Sequence, residues 1–248
     1  MKIKKKVKIN KKKILIFIIT YYASYRLKKT FDLIPFKKLR NYQIKVLISD
    51  DNSTDDTKEI AKKISVRNKK LIFFKNNKKR LNYGGNIKSC LNFAINNNYD
   101  YALMLHGDSQ YHPRYVSSMI KKILKSKCAA VHGSRMMNKK NALKGNMPIY
   151  KFLGNFLLTK YFNFIYNKNF SDCHSGYWIY DLNYINKQNI KKLTNGISFD
   201  NQMRIYLIKN SLKINEIPIM TIYGNEKSSV HIIYALKFIF ETISKRFF

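Results

Sequence analysis

Short runs of apolar residues alternate with segments of helical period through the first half of the chain. This alternation is typical of βαβ units, in which a mainly parallel sheet carries helices on its faces. The apolar runs predict five strands, at 14–20, 44–49, 71–74, 101–105 and 129–132. The sequence therefore predicts an α/β protein whose ligand binds beyond the carboxyl ends of the strands.

Two helices are expected between these strands. The residues Ser53-Thr54-Asp55-Asp56 match the S-x-x-[DE] capping pattern and predict a helix that runs from there to Asn68. Between the third and fourth strands, apolar residues recur at helical spacing on one face. These residues are Ile87, Cys90, Leu91, Ala94 and Ile95.

The second half of the chain is less regular. Segments 147–166 and 234–248 mix aromatic and aliphatic residues with lysines and an arginine. Such segments suit amphipathic helices lying in a membrane interface, and packing on the protein core is an equal alternative. The sequence shows no linker and no internal repeat, so we expect one domain at 14–230. A basic leader at 1–13 precedes this domain, and a basic amphipathic helix at 231–248 follows it.

Composition excludes several classes of protein. The 248 residues are enough for one sizeable core, and 14% aromatic residues argue against disorder. With 48 Lys and Arg against 14 Asp and Glu, the formal net charge is +34. An AT-rich coding sequence would produce such a lysine excess without any selection for binding a partner. The alternative is an anionic partner, either lipid headgroups or nucleic acid.

The cysteines and the N-terminus indicate a compartment. Three cysteines without a C-x-x-C pair exclude a disulfide scaffold, fit a reducing compartment and argue against structural zinc. The apolar run after the basic leader is shorter than a signal-peptide core, and we expect it to be a buried strand. We therefore expect a cytoplasmic protein, either soluble or peripheral on the cytoplasmic face of the membrane.

Acidic residues stand at two predicted strand ends. Asp50 and Asp51 follow the second strand, and Asp108 follows the fourth. Because acids are rare in this chain, we expect Asp51 and Asp108 to bind a ligand in one shared pocket, whereas Asp55 and Asp56 cap a helix. A carboxylate at the second strand can accept hydrogen bonds from a base or ribose, and oxygen ligands near the fourth can hold a divalent cation against a diphosphate.

A glycine pair lies between these two strand ends, in Asn82-Tyr83-Gly84-Gly85-Asn86. Paired glycines at the start of a helix let backbone N–H groups approach a phosphate or ribose closely. We therefore count Gly84, Gly85 and Asn86 among the candidate nucleotide-binding residues. The segment matches neither a Walker loop nor G-x-G-x-x-G.

Several motifs resemble a known family. Residues 48–55, Ile-Ser-Asp-Asp-Asn-Ser-Thr-Asp, resemble the V-D-D-G-S-T-D signature of family 2 glycosyltransferases, which have the GT-A fold. Residues 105–113 are similar to the D-x-D-x-Q-x-x-P region of dolichyl-phosphate mannose synthase-like members, and to a bacterial subgroup that reads H-G-D-G-Q-Y. Further matches follow in the family's order at 133–135, 144–148, 174–177 and 216–219, so that the resemblance covers about 14–230.

The resemblance implies an enzyme that moves a sugar from a nucleotide-diphosphate sugar to a lipid or lipid-linked acceptor, with inversion and with Mg²⁺ or Mn²⁺. It also implies a role for individual residues. Thr20 and Tyr21 would line the base pocket, and Asp51 would hold the base or ribose. The metal ligands would be Asp108, Gln110 and His106, the last of which replaces the first Asp of D-x-D. Arg135 and Lys144 would meet the diphosphate or an anionic acceptor, and Asp200 is the candidate base.

The acceptor and two alternative functions stay open. A polyprenyl phosphate or a glycolipid at an anionic membrane surface would suit the amphipathic segments. Since His106 and Gln202 depart from the family's usual acids, one alternative is a degenerate member that binds sugar nucleotide without turnover. The other is a basic nucleic-acid-binding protein. Lysines spread through nearly every segment and no recognised nucleic-acid motif is present, so we expect no specific nucleic acid.

Overall fold

The computed structural model describes residues 11–138, 142, 145–221 and 232–247. Its strands are β1 Lys13–Thr20, β2 Gln43–Asp50, β3 Ile72–Asn76, β4 Tyr101–His106, β5 Ala130–Ser134, β6 Trp178–Asp181 and β7 Ile214–Pro218. They form one seven-stranded sheet in the order β3-β2-β1-β4-β6-β5-β7. Only β6 runs antiparallel to its neighbours, so the described sheet is mostly parallel.

Helices cover both faces of this sheet. They are α1 Ser24–Asp32, α2 Thr57–Arg67, α3 Asn82–Asn96, α4 Val116–Ser126, α5 Ile149–Tyr166, α6 Lys187–Lys192, α7 Phe199–Lys209 and α8 Ile232–Phe247. Among the described residues, no helix combines the length and the apolar character that crossing a bilayer requires.

Strand β1 is the centre of the core. Alternate side chains of a strand point to opposite faces. Ile14, Ile16 and Ile18 belong to one apolar cluster, whereas Leu15 and Phe17 belong to another on the opposite face of the sheet. All five side chains are fully buried. A strand that is apolar on both faces is typical of a parallel sheet between two helical layers, so the predicted α/β architecture is confirmed.

The pairing of β1 with its two neighbouring strands determines where the candidate site forms. β2 and β4 lie on its two sides, and both are parallel to it. The ladder continues past the strand ends, because the N–H of Asp51 donates to the carbonyl of Thr20 and the N–H of Gly107 to that of Ile19, both at 2.9 Å. The residues that follow β2 and β4 therefore meet at one edge of the sheet.

The predicted strands exist, with ends that differ by one or two residues, and the structure adds β6 and β7. Both added strands are short, and β7 includes the polar residues Asn215 and Glu216. Only β7 lacks an apolar strand pattern, whereas β6 opens on the strand-forming run Trp178-Ile179-Tyr180 and is only four residues long.

The predicted start of helix α2 is wrong. The helix begins at Thr57, and Asp56 is its N-cap residue. Ser53 instead donates its backbone N–H and its hydroxyl to the carboxylate of Asp50, at 2.9 and 2.6 Å. The side chain of Asp55 accepts from the N–H of Thr57 at 3.1 Å. Ser53 is thus used to close the loop after β2 and is not available to cap the helix.

We expect Asp50→Ala to lower the free energy of unfolding by about 2 kcal/mol or more, because hydrogen bonds to a buried charged group contribute about 1.5–3 kcal/mol each. Asp50 is fully buried and also accepts from the hydroxyl of Thr20 at 3.0 Å. Urea denaturation measures the change. The control is Asp56→Ala: the exposed Asp56 makes no side-chain cap hydrogen bond, so the loss stays within about 0.5 kcal/mol. Equal losses in the two variants would contradict this account of the loop.

Candidate active site

A cavity of about 890 Å³ opens at the carboxyl edge of the sheet. This volume suits a small-molecule ligand. Nine predicted site residues line it: Thr20, Tyr21, Asp51, Asn86, His106, Asp108, Gln110, Arg135 and Asp200. Asp51 and Asp108 follow strands on either side of β1. Since neighbouring strands lie about 4.8 Å apart, their backbones are separated by roughly 10 Å.

Asp51 is held rigidly in the cavity wall. It is almost fully buried, and its Oδ1 accepts from the side-chain amide of Asn77 at 3.1 Å and from the backbone N–H of Leu81 at 2.7 Å. Asn86 of α3 supports this arrangement, because its side-chain oxygen accepts from the Ser49 hydroxyl at 2.6 Å and from Asn77 at 3.2 Å. A carboxylate fixed in this way can accept a ligand hydroxyl or N–H without reorganisation.

Two residues after β1 form the neighbouring wall. Thr20 is buried, and its hydroxyl donates to Asp50, so it contributes shape to the cavity. The ring of Tyr21 is partly exposed, and the guanidinium of Arg80 lies 4.3 Å from its centroid. Both Tyr21 and Arg80 line the cavity, and the Arg80 guanidinium covers one face of the Tyr21 ring.

The glycine pair has a packing role in this structure. Gly84 and Gly85 lie in the first turn of α3 and face loop 194–196. A Cβ on Gly84 would meet the carbonyl oxygens of Thr194 and Gly196 at 2.5 and 2.9 Å. The N–H of Gly85 already donates to the carbonyl of Asn195 at 3.1 Å. The N–H of Gly85 is therefore used in the contact between helix and loop and is not available to a phosphate. Of the three residues, only Asn86 lines the cavity.

The turn after β4 presents the candidate metal ligands. Asp108 Oδ1 accepts from the backbone N–H of Gln110 at 2.9 Å. Helix α1 fixes the turn: Arg26 donates to the carbonyl of Asp108 at 3.2 Å, and Thr30 donates to that of Gly107 at 3.1 Å. Asp108, Gln110 and His106 all line the cavity.

His106 has the proton arrangement that a metal ligand needs. Its Nε2 lies 3.1 Å from the carbonyl of Gly176. A carbonyl can only accept, so Nε2 carries the proton, and Nδ1 keeps a lone pair in the neutral ring. Burial lowers the pKa of His106 and outweighs the opposing charge of Asp108, which favours that neutral form. A backbone carbonyl that accepts the second ring N–H is common behind metal-ligating histidines.

This donor set is incomplete by itself. Among the described residues, no group of three or more His, Cys, Asp or Glu side chains is arranged to hold a metal ion. The carboxylate of Asp108 and the amide oxygen of Gln110 fit a Mg²⁺ or Mn²⁺ ion that takes its other ligands from a diphosphate and water, and the His106 imidazole would be an additional nitrogen ligand. The residues present are thus compatible with a metal that binds together with its substrate.

Arg135 is tied to a buried acid. Its Nε and Nη2 donate to the two carboxylate oxygens of Asp172, at 2.8 and 3.0 Å. Burial alone would raise the pKa of Asp172, but the charge and hydrogen bonds of Arg135 outweigh it and hold that pKa well below its usual range. The pair fixes the position of the Arg135 guanidinium in the cavity wall. Lys144, the other predicted anion-binding residue, lies outside the described residues.

Asp200 lies in the first turn of helix α7 and has the properties of a base. Its Oδ2 accepts from the Tyr83 hydroxyl at 2.6 Å, whereas Oδ1 is enclosed and accepts no hydrogen bond from the described residues. Burial raises the pKa of Asp200 to about 7, against the opposing hydrogen bond of Tyr83 and charge of Arg204. A carboxylate with a pKa near neutrality can accept a proton from an acceptor hydroxyl.

Some residues of the site carry no sequence signal. Tyr83 lies 117 positions from Asp200, and Asp172 lies 37 positions from Arg135. His174 lines the cavity with both ring nitrogens buried and without partners in the described part of the chain. Burial lowers its pKa to about 3, so its ring is neutral. The match at 174–177 includes His174, and the glycine-pair segment includes Tyr83, but neither pattern indicates a role for these two residues. No pattern in the sequence indicates Asp172.

Comparison with known proteins decides the family. Residues 15–188 match the family described as glycosyl transferase family 2. The chain belongs to this family. It is also 28% identical over 251 residues to the protein MJ1222 of Methanocaldococcus jannaschii, a match that covers 97% of this chain and 95% of that protein.

Two solved structures resemble this family 2 glycosyltransferase along nearly its whole length. Glucosyl-3-phosphoglycerate synthase from Mycobacterium tuberculosis, solved with Mn²⁺, UDP and glucosyl-3-phosphoglycerate, gives a TM-score of 0.62 at 12% identity. The match covers 95% of this chain and 80% of that one. Mannosyl-3-phosphoglycerate synthase from Rubrobacter xylanophilus gives 0.66 at 11% identity, with 94% and 73% covered. These likenesses confirm the GT-A fold.

We expect Gly84→Ala to destabilise the enzyme by about 1–3 kcal/mol, since the added methyl group would press on backbone atoms that cannot move freely. Gly154→Ala on α5 is the matched control, because a Cβ there meets nothing within 4 Å. Alanine at a helical position favours the helix over glycine by up to about 1 kcal/mol, so this variant becomes more stable. Thermal unfolding of both variants measures the difference, and a neutral Gly84→Ala would contradict the packing role.

Proposed function

We propose that this glycosyltransferase moves a sugar from a nucleotide-diphosphate sugar to a hydroxyl group of a lipid or lipid-linked acceptor, with inversion at the anomeric carbon and with Mg²⁺ or Mn²⁺. The observation that carries the proposal is the shared cavity of Asp51 and Asp108, which follow strands on opposite sides of β1. Asp51 would bind the nucleoside, and Asp108 would lie at the diphosphate end.

The donor side is supported by the wall around Asp51. Its fixed carboxylate can accept from a ribose hydroxyl or a base N–H, and the stacked pair of Tyr21 and Arg80 lies at the same wall, where a base could contact it. The M. tuberculosis synthase, which shares the fold, was solved with UDP and Mn²⁺. Asp108, Gln110 and His106 would hold a divalent cation. When bound, this ion would neutralise charge that develops on the departing nucleoside diphosphate.

The acceptor side is supported by Asp200. In a single displacement the acceptor oxygen attacks the anomeric carbon opposite the leaving diphosphate, through a transition state with oxocarbenium character. Asp200 Oδ1 would take the proton of the attacking hydroxyl, while Tyr83 holds Oδ2 at 2.6 Å and so fixes the direction of the carboxylate. A phosphate acceptor would need no base. A carboxylate with a pKa of about 7 therefore favours a hydroxyl acceptor.

We expect a cognate nucleotide sugar to raise the Tm of the wild-type enzyme in the presence of Mn²⁺ or Mg²⁺, because a ligand that binds only the folded state stabilises it by mass action. Asp108→Asn should lose the part of the shift that depends on the metal and keep a smaller metal-independent shift. A screen of sugar nucleotides by differential scanning fluorimetry, with and without EDTA, makes the measurement.

The screen also separates the alternative functions. A shift with single-stranded RNA and with none of the sugar nucleotides would reject the proposal. A degenerate family member would show the shift but release no nucleoside diphosphate in the presence of any acceptor. A shift that EDTA leaves unchanged would remove the metal from the proposal.

We expect the rate of transfer to rise with pH and to level off above about pH 7, because Asp200 must be ionised to accept the proton. Tyr83→Phe removes a hydrogen bond that stabilises the carboxylate, so the pKa rises and the rising limb moves to higher pH. Asp200→Asn should lower kcat by about 10²–10⁴ and retain donor binding. A profile of kcat/KM against pH measures these effects.

The matched control for Tyr83→Phe is Tyr184→Phe, which changes an exposed tyrosine on the turn after β6. Its pH profile should superimpose on that of the wild type. If Asp200→Asn keeps full activity with an unchanged profile, Asp200 is not the base, and an anionic acceptor becomes the better proposal.

A further inference from the structure

Helices α5 and α8 are neighbours, and each buries one face in a cluster that also contains Ile205 of α7. Phe162 and Tyr166 of α5 form an apolar cluster with Phe238 of α8. The hydroxyl of Tyr166 also donates to the carbonyl of Thr242 at 3.1 Å. These contacts fix the rotation of both helices, and hence which side chains point away from the protein.

The opposite faces carry exposed apolar rows. On α5 the row is Ile149, Leu153, Leu157 and Phe164, and on α8 it is Leu236, Phe240 and Ile243. Phe164 is 85% exposed, Phe240 71% and Leu157 64%. Residues that recur at one or two helical turns lie on one side of a helix. Single exposed apolar residues are ordinary, but two such rows on neighbouring helices mark an interaction surface.

The charges beside these rows identify the partner. Lys160 lies within the α5 row, and Lys237 and Arg246 lie beside the α8 row. Glu241 is the only acid in either helix; it is buried, where it pairs with Lys237 and accepts from Gln202. An apolar row edged by cations matches an anionic bilayer, in which apolar side chains enter the acyl boundary and cations meet the headgroups. A second copy of the chain would instead bring another charge of +34.

The same helices form a wall of the active site. Tyr150, Lys151 and Asn155 of α5 and Tyr234 of α8 line the cavity. Tyr150 is itself exposed and follows Ile149, the first residue of the α5 row. The apolar surface therefore begins at the rim of the cavity that Asp200 also lines.

We propose that the exposed rows of α5 and α8 dock on an anionic lipid bilayer, so that the mouth of the cavity opens at the membrane surface. The evidence for docking comes from helices α5 and α8 and does not depend on the proposed function. Its consequence, that the acceptor is a lipid or is linked to one, rests on the proposed function and specifies the source of the acceptor.

A tryptophan reporter tests insertion. The native Trp178 is fully buried in the core and gives a constant background. Full-length Phe240→Trp, mixed with phosphatidylcholine–phosphatidylglycerol vesicles whose acyl chains carry bromine, should show blue-shifted and quenched emission. The matched reporter is Phe73→Trp on β3, which is 41% exposed and lies at an edge of the sheet. It should show neither effect. Equal quenching of both reporters, or of neither, would overturn the proposal.

A variant with unchanged charge separates apolar docking from simple attraction of a basic chain to anionic lipid. Leu157→Ser/Phe164→Ser/Phe240→Ser keeps every lysine and arginine. We expect it to partition at least tenfold more weakly than the wild type in vesicle cosedimentation at about 0.5 M salt, where surface charges are largely screened. Circular dichroism and Tm should match the wild type. Equal partitioning of variant and wild type, or none by the wild type, would overturn the proposal.

Two further measurements complete the test. If the wild type forms dimers in sedimentation equilibrium and the triple variant does not, the rows belong to a second copy of the chain and the bilayer proposal is wrong.

Vesicle binding is measured without a donor, and donor binding without vesicles. Loss of vesicle binding with a normal donor-dependent Tm shift would refute only the docking, whereas the reverse result would refute only the proposed function.

Discussion

The parallel pairing of β1 with a strand on each side is the constraint on which the site depends. Five consecutive fully buried residues, Ile14 to Ile18, help to fix the register of β1, because a slip by one residue would carry the exposed Lys13 into the buried position of Ile14 and repack both apolar faces. Each buried large apolar side chain contributes about 1.5–3 kcal/mol. With the register fixed, the loops after β2 and β4 must end at one edge, and the carboxylates of Asp51 and Asp108 share a cavity.

Adjacent acids at this edge have different tasks. Asp50 is fully buried and holds Thr20 and the loop after β2 together. Asp51 lines the cavity and is itself held by Asn77 and the backbone of Leu81. Successive residues point to opposite sides in an extended chain, so a doublet of acids supplies one structural and one ligand-facing carboxylate. Arg135 combines both tasks in one residue. Its guanidinium neutralises the buried Asp172, and the residue also lines the cavity.

Local pattern was enough to predict the core strands and the edge that carries the site. β1 and β4 are strongly apolar, and such runs have few alternatives in an α/β chain. The missed features depend on distant partners. β6 and β7 are short runs whose pairing with β5 fixes them as strands, and the start of α2 depends on Ser53 binding Asp50 instead of capping. Gly84 was expected near a phosphate, yet its neighbour in space is a loop more than 100 residues away.

The central claim is that Asp51 and Asp108 hold opposite ends of one nucleotide-diphosphate sugar. A crystal structure of the enzyme soaked with Mn²⁺ and the nucleoside diphosphate selected by the Tm screen, with anomalous data for manganese, tests it most directly. The account predicts a manganese peak about 2.1–2.3 Å from a carboxylate oxygen of Asp108, with the ribose or base within hydrogen-bonding distance of Asp51. Manganese elsewhere, or a nucleotide that leaves Asp51 without contact, would contradict it.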